Sequence, residues 1–124
     1  MILGIGVDTV DIARFERTLA RSPKLQDRLF TVGERERPLH SLAARFAAKE
    51  ALIKALGGSG ELRWHDMEIT RERDRPPQFV PSERLQRALA ERGAGLPHVS
   101  MTHDGGFATA FVVLETAPTA GVAE

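Results

Sequence analysis

Apolar and polar positions follow a helical rhythm in the middle of this chain and strand rhythms towards its ends. The longest helical pattern is Arg45 to Gly57, reading Arg-Phe-Ala-Ala-Lys-Glu-Ala-Leu-Ile-Lys-Ala-Leu-Gly. It has no internal Gly or Pro and stops at Gly57-Gly58, a common way for a helix to end. Extended back to Leu42 at roughly 100° per residue, it places Leu42, Phe46, Ile53 and Leu56 on one apolar face. Ala43, Ala47, Glu50 and Lys54 form an adjoining stripe. The two alanines let another backbone or a ligand come close, and the carboxylate and amine stand one turn apart. Taken alone, that pair is equally an exposed helix ion pair worth about 0.2–0.5 kcal/mol.

On the N-terminal side, Ile2 to Val7 is a short apolar run punctuated by Gly4 and Gly6 that reads as a buried strand ending at Asp8. Asp11 is placed to cap a helix with Ile12, Phe15 and Leu19 on one face and Arg14, Arg17 and Arg21 opposite. Ser22-Pro23 ends it. Thr31-x-x-Glu34 has capping-box spacing for a helix cut short by Pro38, and Ser41 can cap the central helix. Beyond the Gly57–Gly60 loop, Trp64 to Thr70 reads as a strand with Trp64, Asp66, Glu68 and Thr70 on one face. Gln78 to Val80 returns, and Pro81-Ser82-Glu83 opens a helix that ends at Gly93 and Gly95. His98 to His103 and Phe107 to Glu115 form a hairpin through Asp104-Gly105-Gly106. The element order predicts an α+β fold, a long central helix packed on a mainly antiparallel sheet. It gives one domain over residues 1–115 and a flexible tail over 116–124, where no periodicity remains.

Composition narrows the partners. Lysine plus arginine equals aspartate plus glutamate at 17 each, so no global field favours nucleic acid or membrane, and recognition must come from local clusters. The chain has no cysteine, which removes disulfides, thiolate metal sites and thiol nucleophiles. The N-terminal residues lack the basic region and length of a signal peptide, and the longest apolar run, Phe107 to Leu114, is too short to span a bilayer. A cytoplasmic protein is expected. Only three cations are lysines, and Lys49 and Lys54 lie in the central helix.

Asp8, beside glycines at the end of a buried strand, reads either as a helix cap or as a functional carboxylate. Together with Glu50 on a second rigid element it suits Mg²⁺, which takes one or two carboxylates and fills its other positions with water and phosphate. Lys54, one turn on, could contact the same phosphates. His40, His65 and His98 read as surface or turn residues. His103 beside Asp104 is more suggestive, although a turn role fits equally. Neither GxGxxG nor GxxxxGK[ST] occurs. The Arg14, Arg17, Arg21 stripe is a solvated face or a docking surface for an acidic helix. The absence of interleaved aromatics counts against nucleic acid.

Three segments carry a family resemblance. Gly4-Ile5-Gly6-Val7-Asp8-Thr9-Val10-Asp11-Ile12-x-Arg14, Phe30-Thr31-x-x-Glu34, and Arg45-Phe46-Ala47-Ala48-Lys49-Glu50-Ala51-x-x-Lys54-Ala55-x-Gly57 resemble the signatures of holo-acyl-carrier-protein synthases. These are the short 4′-phosphopantetheinyl transferases. Trp64-x-Asp66-x-Glu68-Ile69 and Ser100-x-x-His103-Asp104 also match in order and spacing. The resemblance implies transfer of 4′-phosphopantetheine from coenzyme A to a serine of apo-acyl carrier protein, a step in fatty acid biosynthesis and lipid metabolism, with Mg²⁺ as cofactor. It implies Asp8 and Glu50 as metal ligands, and Arg45, Lys54 and His103 at the coenzyme A site. Asp8, Glu50 and Lys54 form the catalytic set, with Glu50 the best candidate for the base. Arg14 matches a carrier-docking arginine, and Arg17 and Arg21 extend that face. The family is similar to a homotrimer with interface active sites, and Lys49 on an apolar helix face is then expected to meet a neighbouring chain. Two stretches depart from the family pattern: a short segment between Glu34 and Arg45, and Asp74-Arg75 where Gly-Lys or Gly-Arg is usual. The rival reading is a non-catalytic module that docks an acidic helical partner.

Overall fold

The structure, a computed structural model, describes residues 1–118. The chain runs β1 (Ile2–Asp11), α1 (Ile12–Arg21), α2 (Leu25–Leu29), α3 (Val32–Arg35) and α4 (Leu39–Leu56). A 3₁₀ turn (Trp64–Met67), β2 (Ile69–Thr70), β3 (Gln78–Phe79), α5 (Glu83–Glu91), β4 (His98–Asp104) and β5 (Phe107–Glu115) follow. β1, β5 and β4 form an antiparallel sheet in that order, and β2 and β3 a separate two-stranded ribbon. Thr116 and Ala117 of the expected tail hydrogen-bond to the Met1 and Gly93 carbonyls, while residues 119–124 lie outside the described residues.

The long helix lies across the three-stranded sheet as expected, but its buried surface is wider than one stripe. Leu42, Ala43, Ala44, Ala47, Ala48, Ala51, Leu52 and Ala55 are all buried, whereas Phe46, Ile53 and Leu56 are only partly so. Alanine, not leucine, makes the closest contact. β5 answers with Ala108, Ala110, Val112 and Leu114. On β1 the approach is closer still. A Cβ at Gly6 would stand 1.8 Å from the Ala51 carbonyl oxygen, and one at Gly4 would stand 2.2 Å from that of Ala55. The two glycines therefore bring strand and helix backbones into direct contact. Gly57 takes the left-handed conformation and ends α4 as its position predicts.

Four local expectations change. Trp64 to Met67 is a 3₁₀ turn rather than a strand, because the Asp66 carboxylate accepts from the Arg63 amide at 2.8 Å. A side chain that satisfies nearby backbone competes with strand pairing. β1 continues to Asp11, so Asp8 sits within the strand instead of ending it. Ser41 does not cap α4: the helix begins after Pro38, and the Ser41 hydroxyl accepts from Arg45. Lys49 is buried inside its own chain, not against a neighbour. Its ammonium donates to the Leu29 carbonyl and Glu34 Oε1, both at 2.7 Å, and to the Trp64 carbonyl at 3.2 Å. Glu34 supplies its half of the capping box that the spacing predicts, accepting from the Thr31 amide at 3.1 Å, while the Thr31 hydroxyl has no hydrogen-bond partner among the described residues.

The strand–helix contact yields the first test. Gly6→Ala should cost about 3 kcal/mol or more in urea unfolding, because the clash is with backbone. Gly95→Ala, whose added Cβ would meet only ordinary contacts of 3.6 and 3.8 Å, should stay within about 1 kcal/mol. Equal losses at both positions would contradict this account of the fold.

Candidate active site

Gly4, Gly6 and Asp8 alternate onto the face of β1 that meets α4. Gly4 meets Ala55 and Gly6 meets Ala51, so the strand advances as the helix recedes. The same face brings Asp8 to the helix edge that carries Glu50 and Lys54. The Lys54 ammonium donates to Asp8 Oδ1 at 3.1 Å and to the Val7 carbonyl at 3.0 Å. The Asp8 side chain is 19% exposed and that of Lys54 is 54% exposed. Burial pushes the Glu50 carboxyl above the ordinary glutamate range, the Asp8 charge adds to the shift, and Lys54 opposes it. Two carboxylates and one ammonium therefore converge from two elements held together by backbone contact. No group of three or more His, Cys, Asp or Glu side chains that could hold a metal occurs among the described residues. Any ion on this pair would complete its shell with water or substrate oxygens.

Arg45 and His103 meet elsewhere. Both line a cavity of about 280 Å³ with Arg37, His40, Ser41 and Arg71. The His40 and His103 rings stand 4.5 Å apart. The buried Arg45 donates from Nε to the Ile69 carbonyl at 3.3 Å, and its Nη2 has no hydrogen-bond partner among the described residues. Burial and then Arg37 loosen its hold on its proton, while Glu34 opposes them. On α4, Lys54 lies about 180° and Glu50 about 140° round from Arg45. Asp8 is on β1 and His103 on β4, with β5 between them. Arg45 and His103 thus lie on the opposite flank of the central helix from Asp8, Glu50 and Lys54. The Arg45, Lys54 and His103 set is not gathered into one cleft.

The arginine stripe is on the surface as its spacing predicts: Arg14, Arg17 and Arg21 are exposed along α1. Beside it opens an apolar cavity of about 410 Å³ lined by Arg14, Phe15, Arg28, Leu29, Phe46 and Trp64. Phe15 stacks on Phe46 at 5.2 Å, and Phe46 meets Trp64 at 5.5 Å. Sequence reasoning missed this aromatic floor. It also missed Arg37, His40 and Arg71, because each group joins residues from separate elements and has no local spacing signal.

Comparison with known proteins identifies the family. A family model described as the 4′-phosphopantetheinyl transferase superfamily matches residues 4–112. A holo-[acyl-carrier-protein] synthase of Leifsonia xyli subsp. xyli is 65% identical over 115 residues, covering 93% of this chain and 98% of that protein. The crystal structure of holo-[acyl-carrier-protein] synthase from Neisseria meningitidis superposes with a TM-score of 0.83 at 31% identity, over 94% of this chain and 100% of that one. The Helicobacter pylori enzyme, solved in complex with coenzyme A, gives 0.78 at 32% identity, over 90% of this chain and 99% of its own.

Glu50 offers a test that needs no substrate. A carboxyl that binds its proton more tightly when folded stabilises the fold below the ordinary glutamate range, and that contribution is lost as pH rises through its raised value. Ionised Glu50 therefore weakens the fold at neutral pH. Glu50→Gln should raise the thermal midpoint near pH 7, with a gain that shrinks as pH falls from the raised value and is gone by the ordinary glutamate range, about 4. A gain independent of pH would rule out ionisation as its cause.

Proposed function

This chain belongs to the 4′-phosphopantetheinyl transferase superfamily, and on that premise we propose how its residues carry out the family's reaction. The protein is a holo-acyl-carrier-protein synthase that transfers 4′-phosphopantetheine from coenzyme A to a serine of apo-acyl carrier protein. The observation that carries the residue assignment is the convergence of Asp8, Glu50 and Lys54 at one helix edge. A docking module would need the arginines of α1 and leaves this convergence without a purpose.

In the reaction, the serine oxygen forms a bond to the β-phosphorus of coenzyme A. The bond from that phosphorus to the bridging oxygen breaks, and adenosine 3′,5′-bisphosphate leaves. Lys54, on a flexible and half-exposed side chain, reaches the phosphates and stabilises charge on the departing group. Glu50, directly or through a water beside the metal seat, is the candidate that accepts the serine proton. Asp8 and Glu50 would hold Mg²⁺, which when bound neutralises phosphate charge. The donor set suits such an ion. Asp8 Oδ1 and the Val7 carbonyl are hard oxygen donors that already embrace one cation, the Lys54 ammonium.

Arg45 and His103 bind coenzyme A from the opposite flank of α4, so a complete site takes one half from each of two adjacent copies. The sheet supports such assembly. α4 covers one of its faces, and the other leaves Ile5, Val7, Phe107 and Phe111 exposed, with Val7 and Phe111 directly paired. An uncovered apolar sheet face of this kind marks an interface. The homotrimer of the family resemblance accounts both for this face and for the divided site.

The carrier docks on α1. Arg14, Arg17 and Arg21 meet its acidic helix, and the cavity floored by Phe15, Phe46 and Trp64 takes an apolar anchor from that helix. No helix among the described residues is long and apolar enough to cross a membrane. The reaction is assigned to the cytoplasm, in fatty acid biosynthesis.

Intact-mass spectrometry of an apo-carrier incubated with coenzyme A, Mg²⁺ and this protein should show a gain of about 340 Da, lost with a chelator or in Glu50→Ala. Arg14→Glu should weaken carrier binding in a salt-sensitive way while leaving coenzyme A binding intact. No mass gain with several carriers, alongside salt-sensitive docking, would leave the docking module standing. For assembly, Phe111→Glu should convert a three-copy species to a single copy in light scattering and abolish transfer. An unaltered mass would remove the sheet face as the interface.

A further inference from the structure

Among the described residues, Asp8 has one ion-pair partner, Lys54, and that ammonium also takes the Val7 carbonyl oxygen. Both contacts lie on the strand edge assigned above to the metal. A divalent ion on Asp8 would therefore share a carboxylate with an ammonium at about hydrogen-bond distance, and like charges there repel. One ammonium facing two carboxylates leaves the pair short of positive charge, yet adding a divalent ion puts it in surplus. The pyrophosphate of coenzyme A restores the balance, and it offers the ammonium new oxygens.

We propose that Lys54 is the resident counter-ion of the metal seat: in the coenzyme-free protein its ammonium competes with the divalent ion for Asp8, and coenzyme binding ends the competition by drawing the ammonium onto phosphate. The proposal rests on the transferase and metal reading given above. The exchange needs no movement of the fold. Lys54 projects from the last turn of α4, whose backbone is fixed against β1, and its side chain is 54% exposed. A side-chain rotation suffices. The arrangement makes metal and coenzyme binding mutually reinforcing, since whatever removes the ammonium from Asp8 helps the ion. It also sets a second duty for Lys54 as a positioning residue: it holds the Asp8 carboxylate aligned until the substrate arrives.

The test is Mn²⁺ binding, read from the free-ion paramagnetic resonance signal, without any turnover. Wild type, Lys54→Met and Asp8→Asn are each titrated with and without coenzyme A, with circular dichroism to verify folding. Lys54→Met should bind Mn²⁺ about fivefold more tightly than wild type when coenzyme is absent. It should also show a smaller enhancement on adding coenzyme A, and Asp8→Asn should lose binding in both conditions. Unchanged or weaker Mn²⁺ binding by Lys54→Met, with Asp8→Asn still deficient, overturns the counter-ion role and leaves the metal seat intact. Mn²⁺ binding that survives in Asp8→Asn overturns the seat itself, and the proposal with it. If Lys54→Met is poorly folded, Lys54→Gln gives the same comparison with a polar, uncharged side chain.

Discussion

The contact between β1 and α4 is made by backbone, and the positions of Asp8, Glu50 and Lys54 depend on it. At Gly6 no side chain larger than hydrogen fits between the strand and the Ala51 carbonyl. The alanines of α4 and those of β5 extend the same close packing across the sheet. Backbone contact of this kind fixes relative position more tightly than interdigitated long side chains, because neither partner can adapt by changing rotamer. Asp8 is two residues beyond Gly6 on the same strand face, so its carboxylate inherits that precision. Glu50 and Lys54 inherit it from the helix side. On the proposed reaction the groups that stabilise developing phosphate charge must be fixed in advance, and the glycines and alanines fix Asp8, Glu50 and Lys54 in that way.

A second constraint holds the irregular half of the chain against α4. Glu34 accepts from Lys49, from its own capping-box amide at Thr31 and from the Ile69 amide at 2.9 Å, while Arg45 lies within 3.9 Å of its other oxygen. Burial pulls the Lys49 ammonium below the ordinary lysine range, and Glu34 opposes that shift. Two charges in a dry interior are costly unless nearly every donor and acceptor is matched. Here three elements and a turn supply the matches: Leu29 at the end of α2, the α3 cap, β2, and Trp64. The same bonds therefore set the aromatic floor below the arginine stripe and keep Arg45 beside its cavity. Specific geometry, more than net stability, is what such a buried network contributes.

Much of this was legible in the sequence, for identifiable reasons. The helix–Gly stop at Gly57, the Asp11 cap, the Glu34 bond to the Thr31 amide and the hairpin at Gly105-Gly106 rest on local chemistry, and local chemistry decided them. The Glu50 and Lys54 stripe could be read from helix spacing, whereas Asp8 joins it from within β1 and not from a strand end. The expected strand holds only at Ile69–Thr70, because over Trp64–Met67 the Asp66 side chain satisfies the Arg63 amide and curls the segment. Lys49 was misread because periodicity shows that a charge lies on a buried face, not which distant residue answers it. Its partner is Glu34, and nothing in the spacing of the two announces the pair.

The division of the site follows from geometry that no single-chain pattern contains. A helix spanning three strands has two flanks, and residues nine apart, such as Arg45 and Lys54, fall on opposite sides of it. A ligand that must touch both flanks of the same helix would have to pass through the layer packed on the sheet. Two copies remove that difficulty, since the left flank of one helix can face the right flank of the next. The uncovered apolar face of β1 and β5 supplies a reason for copies to meet at all. On the proposed assembly, Asp8, Glu50 and Lys54 of one copy and Arg45 and His103 of the next face one coenzyme A molecule.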